Sequence, residues 1–118
     1  MDFEDKREQL LAKLIRATLE NKITWRLKNP PYSLNQATED YVPLYFETNY
    51  NNTRIGIYEI REKSFTDVDE YYWTEKLGIC IVQEPEIVVW QDEGYSPALN
   101  ELFNMVRHYV SGLDNLLK

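Results

Sequence analysis

Histidine and cysteine are almost missing from this chain, each occurring once, as His108 and Cys80. A single cysteine forbids an internal disulfide. The pair together cannot supply the three or four soft ligands of a zinc site. Glycine is nearly as scarce, with four in 118 residues. No G-x-x-x-x-G-K-[ST] or G-x-G-x-x-G loop exists to cradle a phosphate, and no G-x-S-x-G turn exists to raise a nucleophile. Long apolar runs are also lacking. The longest uncharged stretch, residues 29–38, holds ten mostly polar residues, so no bilayer span is expected. Met1–Lys6 shows no basic region followed by an apolar one, and no signal peptide is expected there. No cofactor is expected, and a reducing cytoplasm is the expected setting.

What the chain does have is aromatic bulk. Nine Tyr, four Phe and three Trp stand in a sequence that is 43% hydrophobic, enough to offset chain entropy without a disulfide or a metal. Its length suits one domain, residues 1–118. The net charge of −7 opposes polyanions, so nucleic acid and anionic membrane are poor partners. That charge is uneven: residues 1–28 sum to +2 and residues 29–118 to −9.

Hydrophobic spacing predicts a helix over 3–19. Phe3, Leu10, Leu11, Leu14, Ile15 and Leu19 recur at intervals of three, four and seven, with Arg7 and Thr18 filling the stripe. Asp2, Glu4 and Asp5 favour its positive N-terminal end, and Asn21 suits its exit. Ile23, Trp25 and Leu27 alternate as one face of a short strand, which Asn29-Pro30-Pro31 ends. Residues 32–40 read as a loop whose Tyr32 and Leu34 fold back over an apolar surface.

A second strand is expected over 41–48, with Pro43 near an edge or outside the ladder. Asn49–Asn52 forms a turn. A third strand runs over 53–62, where Ile55 and Ile57 are out of phase with Tyr58 and Ile60; a bulge near 56–59 would reconcile them. Residues 63–70 read as a connection, and Tyr71–Val82 as a strand interrupted near 75–78. A turn over 83–86 and a last strand over 87–91 follow. Ser96 caps a second amphipathic helix with Pro97 at its first position, and Ser111-Gly112 breaks it before a short helical turn over 113–117. The expected fold is therefore α+β: a four- or five-stranded, mainly antiparallel sheet flanked by N- and C-terminal amphipathic helices.

Two stretches carry a resemblance. They are Ala17-Thr-Leu-Glu-Asn-Lys-Ile-Thr-Trp25 and Leu99-Asn-Glu-Leu-Phe-Asn-Met-Val-Arg107, the latter followed by Val110-Ser-Gly-Leu-Asp114 and Leu116-Leu117. In these the chain resembles a group of small, uncharacterised bacterial and phage-associated proteins of helix–sheet–helix layout. The resemblance covers about a third of the chain at its two ends. It implies a fold and a prokaryotic cytosolic setting, and no activity.

No catalytic constellation stands out. His108 flanks the apolar stripe of the second helix and reads as a boundary residue. Cys80 lies in an apolar run and reads as a small buried hydrophobe. The aromatic cluster Tyr71-Tyr72-Trp73 is the leading candidate site, with Tyr71 and Trp73 on one sheet face and Tyr72 on the other. Exposed rings of this kind anchor protein contacts, so a non-enzymatic protein-interaction module is expected, its partner another protein or a second copy. One alternative is a divalent-cation site, calcium above all, on Asp67, Asp69 and Glu70. An EF-hand is excluded, because Tyr71 and Tyr72 occupy the third-ligand and glycine positions. A further alternative is a carboxylate-dependent hydrolase, which requires two acidic side chains facing one cleft.

Overall fold

In the computed structural model the described residues are 3–35 and 41–118. Helix α1 spans Phe3–Leu19 and helix α2 spans Pro97–Ser111. Between them lie strands β1 (Arg26–Leu27), β2 (Tyr41–Tyr50), β3 (Thr53–Phe65), β4 (Tyr71–Gln83) and β5 (Ile87–Asp92). A short α3, Leu113–Leu116, follows α2. The five strands pair in chain order, β1-β2-β3-β4-β5, all antiparallel. The expected α+β layout is thus what the chain adopts. Among the described residues no helix is long and apolar enough to cross a membrane.

Helices α1 and α2 pack on each other and share one face of the sheet. Their stripes, Leu11 and Leu14 from α1 and Leu99, Leu102, Phe103 and Val106 from α2, meet Phe46, Ile55, Ile57 and Ile79. Complete burial of each such side chain contributes roughly 1.5–3 kcal/mol. Arg7 and Thr18 fill the α1 stripe as buried residues. The Arg7 guanidinium donates to Asp92 at 2.7 Å, to Glu8 at 3.0 Å and to the Gly94 carbonyl at 3.3 Å, tying α1 to the end of β5. Leu19, expected in the stripe, is instead exposed, because it falls where the helix leaves the sheet. The expected placement of the Asp2, Phe3 and Glu4 side chains lies outside the described residues.

Caps fix both helices. Asn21 adopts a left-handed φ of 57° after α1. Ser96 accepts the Leu99 N–H at 3.2 Å with Pro97 following, and Gly112 at φ 71° ends α2. Asn51 and Asn52 have φ of 52° and 62° between Tyr50 and Thr53, the two positive dihedrals of a type I′ hairpin turn.

The second sheet face is also apolar. Val42, Tyr45, Tyr58, Ile60, Cys80 and Val82 form a second cluster, joined by Leu34 and Val88. The chain after β1 crosses it: Pro31 is buried, and the 3₁₀ turn Tyr32–Asn35 touches both β2 and β5. Leu34 packs there as expected, whereas Tyr32 is exposed. Residues 36–40 of the expected loop lie outside the described residues.

Burial of both faces corrects the expected bulge in β3. The β3–β4 register runs unbroken from Arg54↔Val82 to Phe65↔Tyr71, so Ile55 and Ile57 simply face the helices while Tyr58 and Ile60 face the second cluster. The same ladder removes the expected interruption at 75–78 and extends β3 to Phe65. Irregularity sits elsewhere, between Tyr41 and Leu44 around Pro43, and between Ile81 and Val82 against β5. The first strand is shorter than its pattern suggests. Trp25 is buried, with its indole N–H donating to Thr18 at 3.0 Å, but Leu27 is exposed and only Arg26 and Leu27 pair.

Candidate functional site

Hairpin β3–β4 is longer than its neighbours. Strand β2 pairs with β3 no further than Arg61, and β5 pairs with β4 only from Ile79 onward. The remainder is an arm, closed by the turn over 66–70, in which the Thr66 N–H donates to the Glu70 carbonyl at 3.1 Å. Strand alternation puts Lys63, Phe65, Tyr71 and Trp73 on the face that carries the helices nearer the core. Their rings form a chain. Phe65 and Tyr71 centroids lie 6.1 Å apart, and Tyr71 and Trp73 lie 6.2 Å apart with planes at 90°. Lys63 Nζ sits 4.6 Å from the Tyr71 centroid and 5.5 Å from that of Trp73, an arrangement favoured by the negative ring faces. Exposure is 60% for Phe65, 52% for Tyr71 and 45% for Trp73. Tyr72 is exposed too, on the opposite face.

Tyr71, Tyr72 and Trp73 thus occupy the strand and the faces expected of them. Phe65 and Lys63 were missed. The signal was available, since a five-residue turn over 66–70 pairs Phe65 with Tyr71 and Lys63 with Trp73. The other tyrosines divide differently. Tyr45 and Tyr58 are fully buried, their hydroxyls donating to Glu47 at 2.8 Å and to Glu93 at 3.0 Å. Tyr50 packs against the main core, and the Tyr41 side chain lies outside the described residues.

Beside the arm, a cavity of about 540 Å³ opens between α2 and the β4 edge. Glu59, Glu75, Leu77, Tyr95, Phe103 and Arg107 are among its lining residues. Glu59 is buried, and burial raises its pKa, as do the hydrogen bond its protonated form donates to Glu75 and the negative charge of Glu75. Arg61 lies 3.2 Å from Glu75. Two acids facing one cleft were the requirement for a carboxylate-dependent hydrolase. Direct contact between them, however, leaves no room for the bond to be cleaved, for which glycosidases hold their carboxyls roughly 5–9.5 Å apart.

A second ionic cluster is structural. Glu47 accepts from Arg54 at 3.0 Å and from Lys28 at 2.9 Å, besides Tyr45. Burial alone would raise the Glu47 pKa, but these hydrogen bonds outweigh it and hold the carboxyl below its usual range. Cys80 is buried on the second sheet face, and burial pushes its thiol up to about 12, the opposite of an activated nucleophile. His108 is exposed, 3.2 Å from Asp114. Asp67, Asp69 and Glu70 are exposed on the arm's turn, where an Asp67 carboxylate oxygen accepts the Val68 N–H at 2.7 Å. Among the described residues no three His, Cys, Asp or Glu side chains gather to hold a metal ion.

No family model, curated protein or solved structure matches the chain.

Proposed function

We propose that this chain is a protein-interaction module, non-enzymatic, whose docking surface is the aromatic face of the β3–β4 arm. One observation carries this: Phe65, Tyr71 and Trp73 contact one another in a row, half-exposed, on a part of the hairpin that no helix covers among the described residues. Contiguous exposed rings are rare on a monomer surface and typical of contact anchors. The rings hold each other in place before any partner arrives, so little side-chain entropy is lost on binding. Lys63 adds a cation to the patch, which suits a partner bearing a carboxylate beside an apolar side chain. The likeness of the two ends to small bacterial proteins supports a bacterial cytoplasm as the setting.

The test compares wild type with Trp73→Ala and Tyr72→Ala in quantitative crosslinking and affinity capture. Far-UV circular dichroism and the thermal midpoint confirm that each variant folds. Trp73→Ala is expected to abolish association, and Tyr72→Ala, on the far face, to weaken it less. Association that survives Trp73→Ala unchanged would remove the arm as the docking surface.

A further inference from the structure

Beside the aromatic row, the arm presents an open strand edge next to the cavity. On the β5 side, no strand covers β4 from Thr74 to Gly78 among the described residues. The direction of its backbone groups follows from the hairpin turn. Tyr50↔Thr53 closes a two-residue loop and is a hydrogen-bonded pair, so every second β3 residue from Arg54 to Glu62 bonds towards β4. Their partners, including Gly78, Lys76 and Thr74, bond back towards β3. The Thr66–Glu70 hydrogen bond has the same phase. Glu75 and Leu77 therefore direct N–H and C=O into the open side, and their side chains point to the face on which the cavity lies.

We infer that the arm's partner is a second copy of this chain: two β4 edges pair antiparallel about a two-fold axis at Thr74, and Tyr71 of each copy enters the cavity of the other. This rests on the arm being a docking surface. In an antiparallel pair, outward-bonding residues must face outward-bonding residues, which confines the axis to a residue rather than a gap. An axis at Glu75 would set Glu75 against itself, and one at Lys76 would set Lys76 against itself. Both juxtapose like charges. At Thr74 the pairs are Thr74 with Thr74, Glu75 with Trp73, Lys76 with Tyr72, and Leu77 with Tyr71. Lys76 then has Glu70 of the other copy on its diagonal, while Glu75 keeps Arg61 of its own copy as counter-ion.

The same register supplies the knob and the hole. Leu77 lines the cavity together with Leu99 and Phe103. The residue opposite Leu77 is Tyr71 of the other copy, the ring at the centre of the exposed row. The dimension along the strand also fits. Tyr71 adjoins the arm's turn, and Leu77 lies two residues before Ile79, where β5 begins to cover β4. The turn of one copy thus arrives where the β5 of the other ends. Two exposed features of one monomer become each other's complement, an isologous contact of the kind two-fold dimers use.

Sedimentation of the intact chain, 14.1 kDa as a monomer, is expected to show a dimer up to about 200 µM, and Tyr71→Ala to raise its dissociation constant about tenfold or more. Thr74→Cys gives an independent readout. Across the axis Thr74 forms a non-hydrogen-bonded pair with Cα atoms about 4.5 Å apart, within disulfide range. Mild oxidation should link Thr74→Cys into a dimer much faster than Val89→Cys, an exposed control on β5, while buried Cys80 stays silent. A monomer throughout, or equal linking rates for the two cysteines, would overturn the two-fold dimer. If that monomer nevertheless binds a different protein in a Trp73-dependent way, the self-pairing fails and the docking arm stands. Loss of both would remove the arm as well.

Discussion

Replacing Gly78 by alanine tests whether the second sheet face is a true core. A Cβ at Gly78 would lie 2.5 Å from Tyr58 Cζ and 2.7 Å from its hydroxyl oxygen, where real contacts do not fall below 3 Å. The ring has nowhere to go. It is fully buried, pairs directly across the ladder with Gly78, lies 6.4 Å from the Tyr45 ring and is held at its far end by Glu93. Overpacking of this kind costs about 1–3 kcal/mol, and displacing the hydroxyl from a carboxylate adds about 1.5–3 kcal/mol. The lower backbone entropy of unfolded alanine returns about 0.5–1 kcal/mol. A net loss of about 2–5 kcal/mol follows, lowering the thermal midpoint by about 8–20 °C. Urea unfolding followed by tryptophan fluorescence measures it. A second variant, Tyr58→Leu, removes the obstruction, so Gly78→Ala in that background should cost at least about 1 kcal/mol less. A loss below about 0.5 kcal/mol, or strict additivity of the two changes, would refute the packing of Tyr58 against Gly78.

Glu59→Gln should make stability less sensitive to pH. The folded state raises the Glu59 pKa, so the protonated form is favoured on folding, and stability falls as pH rises through that pKa. Denaturant titrations at acid and neutral pH should show the variant losing less than wild type across that window; an unchanged slope would sink the raised pKa of Glu59. Asp92→Ala leaves buried Arg7 without its shortest partner and should cost about 3 kcal/mol, read by the same unfolding assay; a cost under about 1 kcal/mol would make the Arg7 tie superfluous. Calorimetry with millimolar calcium should give no saturable heat, and a heat lost in Asp67→Asn would instead assign a site to the arm's turn.

Helix boundaries were legible because local chemistry sets them. Ser96-Pro97, Gly112 and Asn21 each satisfy a terminus or a left-handed dihedral without help from distant residues. The Asn51-Asn52 turn was legible for the same reason. Strand phase was not. Period-two reasoning assumes one wet face, whereas Pro31 and Leu34 cover the second face of this sheet, so Tyr58 and Ile60 looked out of phase with Ile55 and Ile57 when all four are core. Trp25 misled in the opposite sense: it is buried by α1 and held by Thr18, not by a long strand. Tyr71–Trp73 could be found from composition alone, but Lys63 and Phe65 required the pairing. Glu59 and Glu75 were hidden, since they are 16 positions apart and meet only because Arg61 pairs with Glu75 across the ladder.

The meander lets every strand find its neighbour from the adjoining stretch of chain, so the sheet can assemble hairpin by hairpin with short loop closures. Helix α1 is the exception. Its anchor, Arg7, has its counterpart, Asp92, 85 positions later in the chain. Helix α1 is thus made well before the strand that ties it down, and Arg7 goes without its Asp92 partner until β5 has been synthesised.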